Sequence, residues 1–286
     1  MRNTTERRQS YRKPFTHNRS ARGFLMLSAA FIMVVGAGRA DERMFTYSYE
    51  AVSVLPKGGM EFEQWLTYRG GKQDGVFARW DLREELEYGV TDRYTTALYL
   101  NFRNVHSAGV TGRTDTDRFE FRGVSSEHKY QLLNPHTKPL GVLFYGEVTT
   151  DGKELELEEK LVLQKFFGEH WNAVFNVTLE QEWEFEPAET VEALVLELTA
   201  GLSYKLSPHW SVGLEAMHVR EFAGIGFGSE AVSAWFVGPN IHYGTSKWWA
   251  TLTVLPQVAG RPETESGLNL TDRERVELRL IAGINF

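Results

Sequence analysis

The sequence predicts an all-β protein, a transmembrane antiparallel β-barrel of about twelve strands preceded by a cleaved signal peptide. Three observations predict it. The carboxyl-terminal segment alternates between apolar and other residues, several earlier segments are joined by an aromatic–turn–aromatic pattern, and the amino terminus has a basic stretch followed by an apolar one. A strand points successive side chains to opposite faces, so alternation gives each strand one apolar and one mostly polar face.

The amino terminus has the layout of a secretory signal peptide. An apolar run from Phe24 to Val35, broken only by Ser28, precedes the small residues Gly38 and Ala40. The run follows a basic stretch containing Arg2, Arg7, Arg8, Arg12, Lys13, Arg19 and Arg22. This pattern predicts a signal peptide over residues 1–40 that is cleaved after Ala40. A membrane anchor is the alternative, but the run is short for a hydrocarbon layer ~30 Å thick.

The charge of the mature chain bears on its partners. Residues 1–40 contain eight Lys and Arg residues and one Glu, so the mature chain keeps 23 basic and 37 acidic residues, a net charge of −14. A strongly acidic chain does not favour nucleic acid as a partner, because binding to phosphates requires basic patches. The absence of cysteine excludes disulfides and thiolate metal sites.

Average hydropathy alone would suggest a soluble protein. Only 42% of residues are hydrophobic, and the mature sequence contains no apolar run of helix-spanning length. A membrane barrel needs an apolar surface on only one face of each ~10-residue strand, so ordinary hydropathy is compatible with it. At about 20 residues per strand and connection, the mature chain has room for roughly twelve strands in one domain.

Short turns in the sequence mark where neighbouring strands end and begin. Four short polar turns are flanked by aromatic residues, and such rings favour the membrane interface. The four are Tyr88–Tyr94, Phe167–Trp171, Tyr204–Trp210 and Tyr243–Trp248. Residues 134–139 form a further short connection. We interpret the recurring aromatics as a girdle at one membrane surface, although aromatics also flank strands in other β proteins.

Longer polar connections alternate with these turns, which is the asymmetry of outer-membrane barrels. They are residues 70–76, 104–117, 186–189, 223–230 and 260–272, with a shorter one at 150–153. The intervening segments are twelve predicted strands near 59–69, 77–88, 94–103, 118–132, 140–149, 154–166, 171–185, 190–206, 210–222, 231–244, 248–259 and 273–286. Twelve is even, which places both barrel ends on the short-turn side. A mis-split segment would give ten or fourteen.

Three segments of the sequence are compatible with more than one structure. Residues 41–58 look extended near Phe45 and Tyr47, but a thirteenth strand would place the termini on opposite sides. We therefore predict that they form a periplasmic segment or a plug inside the barrel, and that residues 59–286 form the barrel. Residues 154–167 and 189–199 contain good helix formers, but their apolar residues recur with a period of two, which favours strands.

The polar face of each strand is predicted to face the lumen. Arg79, Asp81, Arg83, Glu85 and Glu87 fall on that face of the second strand, and Glu156, Glu158, Glu180, Glu182 and Arg279 on that of later strands. Glu84 and Glu159 fall on the apolar face and are expected at the headgroup level or beside bulges. Since a twelve-stranded barrel is intermediate in width, these charges could close the lumen or line a narrow pore.

Motifs of enzymes and metal sites are not evident. The sequence contains no Gly-x-Ser-x-Gly elbow, His-Glu-x-x-His motif or phosphate loop. The histidines lack metal-ligand spacing, so no metal site and no cofactor are predicted. His106 and Ser107 are adjacent in a predicted outer connection, but no third catalytic residue matches them.

Two stretches resemble a family of uncharacterised outer-membrane β-barrels. They are Glu61–Trp65 and Arg79–Arg93, and family members begin with a segment similar to Phe45-Thr46-Tyr47. The Tyr-Gly-x-Thr-Asp-Arg turn at residues 88–93 is also similar to hairpins of porin-like barrels associated with uptake of aromatic compounds. The resemblance implies the fold and a location in the outer membrane of a Gram-negative bacterium. It implies no substrate and no catalytic residues.

The carboxyl terminus resembles the closing strand of the same class of barrel. Val276, Leu278, Leu280, Ala282, Ile284 and Phe286 are apolar at every second position. A terminal Phe on such a strand is the assembly signature of these barrels, so the resemblance implies that the barrel-assembly machinery reads Phe286.

Together these features predict an integral outer-membrane protein that is a narrow channel for small polar or cationic solutes. Its expected partners are outer-membrane lipid, the assembly machinery and small solutes. A structural or sensing barrel with a closed lumen is the alternative, followed by a membrane-embedded hydrolase.

Overall fold

The computed structural model describes residues 43–187, 189–264 and 266–286. The regular elements of these residues are twelve strands: β1 (Met60–Gly70), β2 (Val76–Thr91), β3 (Tyr94–Ala108), β4 (Thr116–Leu133), β5 (Gly141–Thr150), β6 (Glu154–Phe167), β7 (Trp171–Phe185), β8 (Thr190–Lys205), β9 (Trp210–Ala223), β10 (Glu230–Gly244), β11 (Trp248–Arg261) and β12 (Val276–Asn285). The predicted signal peptide, residues 1–40, lies outside the described residues. Among those described, no helix is long and apolar enough to cross a membrane.

The strands form one closed antiparallel barrel in which each strand pairs with its neighbours in sequence. The first and last strands close it, with Glu61 opposite Asn285 and Gly70 opposite Val276. Closure leaves no unpaired strand edge, as a lipid environment requires. The predicted fold class and strand number are confirmed, and the two segments with helix-forming residues are strands β6 and β8.

Strand ends differ from the prediction mainly at the long-loop side. The third strand was predicted to end near residue 103 but continues to Ala108, where Val105 and Ser107 still pair with β4. A strand that extends beyond the apolar belt needs only its ladder of hydrogen bonds. The side chains of such an extension can therefore all be polar, and its sequence then resembles that of a loop.

The outer face carries the predicted apolar surface. Leu98, Phe121, Phe175 and Leu214 are among its exposed large apolar side chains. At the short-turn end the aromatic residues meet in cross-strand pairs, with ring centroids 4.8 Å apart for Trp171–Tyr204 and for Trp210–Tyr243. This arrangement is the aromatic girdle of a membrane barrel.

Glu84 and Glu159 are exposed on this outer face, as the alternation predicted. The expectation that they lie beside bulges was wrong, while their expected level at the headgroups stays a prediction. Glu84 pairs in regular register with Gln64 and Leu100, and Glu159 with Gly146 and Leu179. Both lie near the middle of their strands.

The interior of the barrel contains the chain's own amino-terminal segment. Residues 43–55, here called the plug, lie inside the short-turn half and are mostly buried. Tyr49 and Ala51 of the plug pack with inward residues such as Trp65 and Leu143 in one apolar cluster. Tyr47 packs with Met217, Phe236 and Leu255 in a second cluster on the wall formed by β9–β11.

Close approach of the plug to the wall depends on inward glycines, and Gly201 is one of them. A Cβ atom added to Gly201 of β8 would lie 2.6 Å from the ring of Phe45 and 2.9 Å from Val174. Any larger residue at this position would therefore displace the Phe45 ring or the strand behind it.

Candidate functional site

The plug is anchored mainly by one carboxylate. The backbone N–H groups of Thr46, Tyr47 and Ser48 donate to the two oxygens of Glu215 at 3.0, 2.9 and 2.8 Å. Thr253 also donates to Glu215, at 2.6 Å. Glu215 lies on the inward face of β9 because it alternates with the outward Leu214. A buried carboxylate is stable only when donors surround it, and here consecutive backbone amides supply most of them.

Amide side chains from other strands bind the rest of the plug backbone. Asn176 of β7 accepts from the N–H of Tyr49 at 2.6 Å and donates to its carbonyl at 3.1 Å. Gln164 of β6 accepts from Val52 at 3.0 Å, and Gln131 of β4 donates to Ala51 at 2.6 Å. These contacts come from strands around the barrel, so the plug is fastened across the lumen rather than along one wall.

Basic side chains lie against the plug's aromatic rings. Arg43 forms a 3.1 Å ion pair with Glu63 of β1 and lies 4.1 Å from the ring centre of Tyr49. Lys160 lies 3.9 Å from the same ring, and Arg279 lies 4.2 Å from the ring of Tyr47. Such cation–π contacts gain strength when water is excluded, as it is here.

The long-loop half of the lumen, here called the vestibule, is different because its inward charges are partly accessible. On the side formed by β1–β3, Asp81 accepts from Arg79 at 2.9 Å and Arg103 at 2.6 Å, and it also contacts Arg69. Arg69 pairs in addition with Glu277 of β12 at 3.1 Å. The bases on this side are therefore largely neutralised by their own acidic neighbours.

The side formed by β6 and β7 is acidic. The pairing register places glutamates directly opposite one another on the inward face, in three successive pairs: Glu154–Glu184, Glu156–Glu182 and Glu158–Glu180. Glu154 pairs with Arg122, and Glu158 pairs with Lys160 at 3.1 Å. Opposed like charges are unfavourable in a sheet. This ladder of glutamates therefore concentrates negative potential on one wall of the vestibule.

The loop between β11 and β12 folds against the mouth of the vestibule. Gln257 of β11 accepts from the N–H of Asn269 at 2.6 Å and donates to the Glu274 carbonyl at 3.0 Å. In the β1–β2 loop, Lys72 pairs with Glu274 at 3.0 Å. Burial lowers the pKa of Lys72 to about 8, which outweighs the opposing effect of Glu274. The pKa of Glu274 lies below its usual value because the Lys72 ammonium and neighbouring arginines outweigh the effect of burial.

The predicted lumen residues fall into two groups. Arg79, Asp81 and Arg83 line the vestibule and the region just below it, as do Glu156, Glu158, Glu180 and Glu182 of the acidic wall. Glu85 and Glu87 point inward but are 0% exposed, because they lie beside the plug. Arg279 donates to the carbonyl of Thr46 in the plug at 3.0 Å.

Phe286 lies at the seam of the barrel on the short-turn side. Its N–H donates to the carbonyl of Met60 at 3.0 Å, so the last residue extends the pairing of β12 with β1. Its neighbour on the outer face, Ile284, is exposed in the apolar belt.

Sequence reasoning missed the residues that hold the plug. The alternation of β7 and β9 places Asn176 and Glu215 on the inward face, but nothing in the sequence marks them as partners of residues 46–49. The only signal in the sequence is local: Glu215 is a charged residue next to the apolar inward residue Met217. The inward apolar patch of Phe236 and Leu255 was also missed, since the inward neighbours of Phe236 on β10, Val232 and Ala234, are apolar like the outward residues of that stretch.

Solved structures share this fold. The chain is similar to the COG4313 outer membrane channel from Pseudomonas putida F1, with 14% sequence identity, a TM-score of 0.61, and coverage of 82% of this chain and 97% of that one. It is also similar to the NanC porin, with 9% identity, a TM-score of 0.50, and coverage of 79% and 100%. With its belt of exposed apolar side chains, this fold places the protein in the outer membrane of a Gram-negative bacterium. No curated protein matches the sequence.

One family model matches residues 37–286, which include the end of the predicted signal peptide and all of the chain after it. The match includes the plug and all twelve strands. The chain belongs to the family of unknown function DUF6662.

Proposed function

We propose that the protein is an outer-membrane channel for small polar or cationic solutes. The observation that carries the proposal is the ladder of opposed glutamates on the vestibule wall formed by β6 and β7. These carboxylates lie on the inward face at partly accessible positions, where a solute entering from the long-loop side would meet them.

The charge arrangement favours cations over anions. Arg69, Arg79 and Arg103 share Asp81, and Arg69 also pairs with Glu277, so two carboxylates offset two of the three positive charges on the basic side of the vestibule. The opposite wall carries more carboxylates than bases. A cleft lined by one sign of charge raises the local concentration of counter-ions, and rings or walls of Glu select cations in channels.

The plug determines whether a solute can cross the barrel. Residues 43–55 fill the short-turn half, so a solute can cross only if this segment shifts. Its anchoring is made of hydrogen bonds to side chains, without a strand ladder of its own, and we propose that it opens as a unit. A barrel with a permanently closed lumen is the second candidate, and the burial of the plug backbone favours it.

Planar-bilayer recording tests the channel. Purified barrel in a KCl gradient should give discrete conductance steps whose reversal potential indicates cation preference. Replacing Glu156, Glu158, Glu180 and Glu182 by Gln should reduce that preference without abolishing the steps. The matched control is Glu159→Gln, on the same strand but on the outer face, which should leave selectivity unchanged.

The outcomes separate the candidates. Steps that lose cation preference only in the quadruple variant support the proposal. A folded barrel that never conducts, even when the plug is loosened, supports the closed form. Equal selectivity in the quadruple variant and the wild type would show that the glutamate ladder does not lie on the ion path.

We also propose that Phe286 is read by the barrel-assembly machinery. Its position at the β1–β12 seam supports this, because the closing strand has to be presented before the barrel is sealed. Deleting Phe286, or the change Phe286→Asp, should reduce the outer-membrane yield while signal-peptide cleavage continues. Unchanged yield and unchanged heat-modifiable gel migration would contradict this role.

A further inference from the structure

Three glutamates meet inside the barrel beside the plug. Among the described residues, Glu63 of β1 and Glu85 and Glu87 of β2 each offer a carboxylate oxygen, and these oxygens lie within 4.8 Å of one another. All three side chains are fully buried. The register explains the cluster, because Glu63 lies directly opposite Glu85, and Glu61 directly opposite Glu87, on the inward face.

The cations nearby do not neutralise this cluster. Arg43 pairs with Glu63 at 3.1 Å. Lys129 pairs with Glu87 at 2.6 Å and with Glu127 at 3.3 Å, so it is shared between two carboxylates. Glu85 accepts a hydrogen bond from the indole of Trp65 at 3.0 Å, but no Lys or Arg of the described chain lies within ion-pair distance of it. A buried carboxylate without a cation beside it is strongly unfavourable.

A second observation points to a ligand. One oxygen on each of the three glutamates, Oε1 of Glu63, Oε1 of Glu85 and Oε2 of Glu87, is buried and has no hydrogen-bond partner. The remaining oxygens of the three carboxylates take up the available donors, which are Arg43, Trp65 and Lys129. Three carboxylates that lie close together therefore have acceptor oxygens without donors, and their negative charge is not balanced, so a cation could bind them.

We propose that Glu63, Glu85 and Glu87 bind one divalent cation of the calcium type. An all-carboxylate set suits a hard cation. Calcium–oxygen distances of about 2.3–2.6 Å place ligands on opposite sides of the ion roughly 5 Å apart. Oxygens that all lie within 4.8 Å of one another can therefore contact the same ion. The sequence predicted no metal site because its ligands come from two paired strands, so no single-segment spacing marks them.

The position of the site links it to the plug. Glu63 binds Arg43, the first described residue of the plug, while its other oxygen is free for the ion. A bound cation would hold β1, β2 and the start of the plug at one point. The channel proposal does not depend on this site, because the glutamate ladder lies on a different wall.

Terbium luminescence is a direct test, because Trp65 donates to both Glu63 and Glu85 and can sensitise a lanthanide bound there. Barrel refolded with Tb³⁺ should emit after excitation of tryptophan, and excess Ca²⁺ should suppress the emission. The variants Glu63→Gln and Glu85→Gln should each weaken Tb³⁺ binding at least tenfold. Glu158→Gln and Glu180→Gln, on the vestibule wall, should retain binding.

Folding of the variants is checked in the same samples. Glu85→Gln removes a carboxylate that has no basic partner, so in chelator its Tm should equal or exceed that of the wild type. Addition of Ca²⁺ should raise the Tm of the wild type but not that of this variant. Absence of sensitised emission and of a Ca²⁺-dependent Tm in the wild type would overturn the site. It would indicate that the three glutamates are held together by protons shared between their carboxylates, without a bound cation. Loss of emission only in the vestibule variants would also overturn it.

Discussion

Inward carboxylates have opposite surroundings in the two halves of the barrel. In the plug half, Glu215 is 1% exposed and its oxygens accept from backbone N–H groups that no water reaches. In the vestibule, Asp81 is 16% exposed and its partners are three arginines that water also solvates. Both residues occupy equivalent inward positions of alternating strands. The plug, rather than the strand pattern, decides which charge becomes a structural anchor and which stays available to solutes.

This difference shows how one alternating pattern can serve two purposes. Where the chain returns into its own lumen, inward amides and carboxylates replace the water that the plug backbone has lost, and they become part of a core. Where the lumen stays open, the same residue types keep solvent contact and contribute mainly to the electrostatic potential. Substitutions in the plug half should therefore change stability and closure. Those in the vestibule should change selectivity.

The largest effect is expected for Glu215→Ala. It leaves three buried plug N–H groups without an acceptor, each costing about 1–3 kcal/mol, so we expect a loss of about 3–5 kcal/mol after relaxation. Proteolysis of residues 43–55 and a higher frequency of conducting steps in bilayers measure the release of the plug. Glu215→Gln keeps one acceptor oxygen and should have a smaller effect. An unchanged plug in Glu215→Ala would mean that this carboxylate is not its main anchor.

A second test separates the lumen from the lipid face within β12. Leu280→Arg places a charge on the outer face midway along the strand and should cost about 2–4 kcal/mol. Arg279→Leu removes the contacts with Thr46 and Tyr47 of the plug and should cost less, while loosening the plug. Urea unfolding in lipid vesicles and limited proteolysis measure the two effects. Reversed magnitudes would indicate that the faces are assigned one residue out of register.

A smaller effect is expected for Asp81→Asn in the vestibule. Three arginines lose a shared carboxylate, but they remain partly solvated, so the cost should be about 1–2 kcal/mol. The vestibule should become more positive, and cation preference should fall in bilayer recordings. Protease resistance of the plug should not change. A plug released by Asp81→Asn would show that the two halves are coupled.

The smallest effect concerns the loop pair at the vestibule mouth. Because the pKa of Glu274 is lowered in the folded state, this carboxylate stabilises the fold above its ordinary pKa, and the contribution is lost as the pH falls through the lowered value. Glu274→Gln should therefore lower the Tm slightly at pH 7. The difference from the wild type should shrink as the pH falls below the ordinary glutamate pKa, and it should vanish once the pH lies below the lowered pKa of Glu274. A gap that persists in acid would assign the effect to packing rather than charge.

The barrel could be predicted from the sequence because its pattern is local. Alternation in residues such as Val276 to Phe286 reports both faces of a strand, and the turns at Tyr88–Tyr94 report the ends. The plug site could not be predicted to the same depth. Its contacts join residues far apart in sequence, such as Tyr47 with Glu215 and Tyr49 with Asn176, and no local period encodes them. Where both faces are apolar, as in β10, the sequence also fails to mark the inward side.

Single-cysteine labelling tests the contrast between the two halves most directly, because the native chain contains no cysteine. Glu182→Cys places a thiol in the vestibule, and Ser48→Cys places one in the plug, where the side chain is 2% exposed. A cationic methanethiosulfonate reagent should modify the first variant rapidly in folded barrels and leave the second unmodified. Adding Glu215→Ala to Ser48→Cys should then expose that thiol. Equal modification rates at the two positions in folded barrels would contradict a plugged short-turn half and an open vestibule.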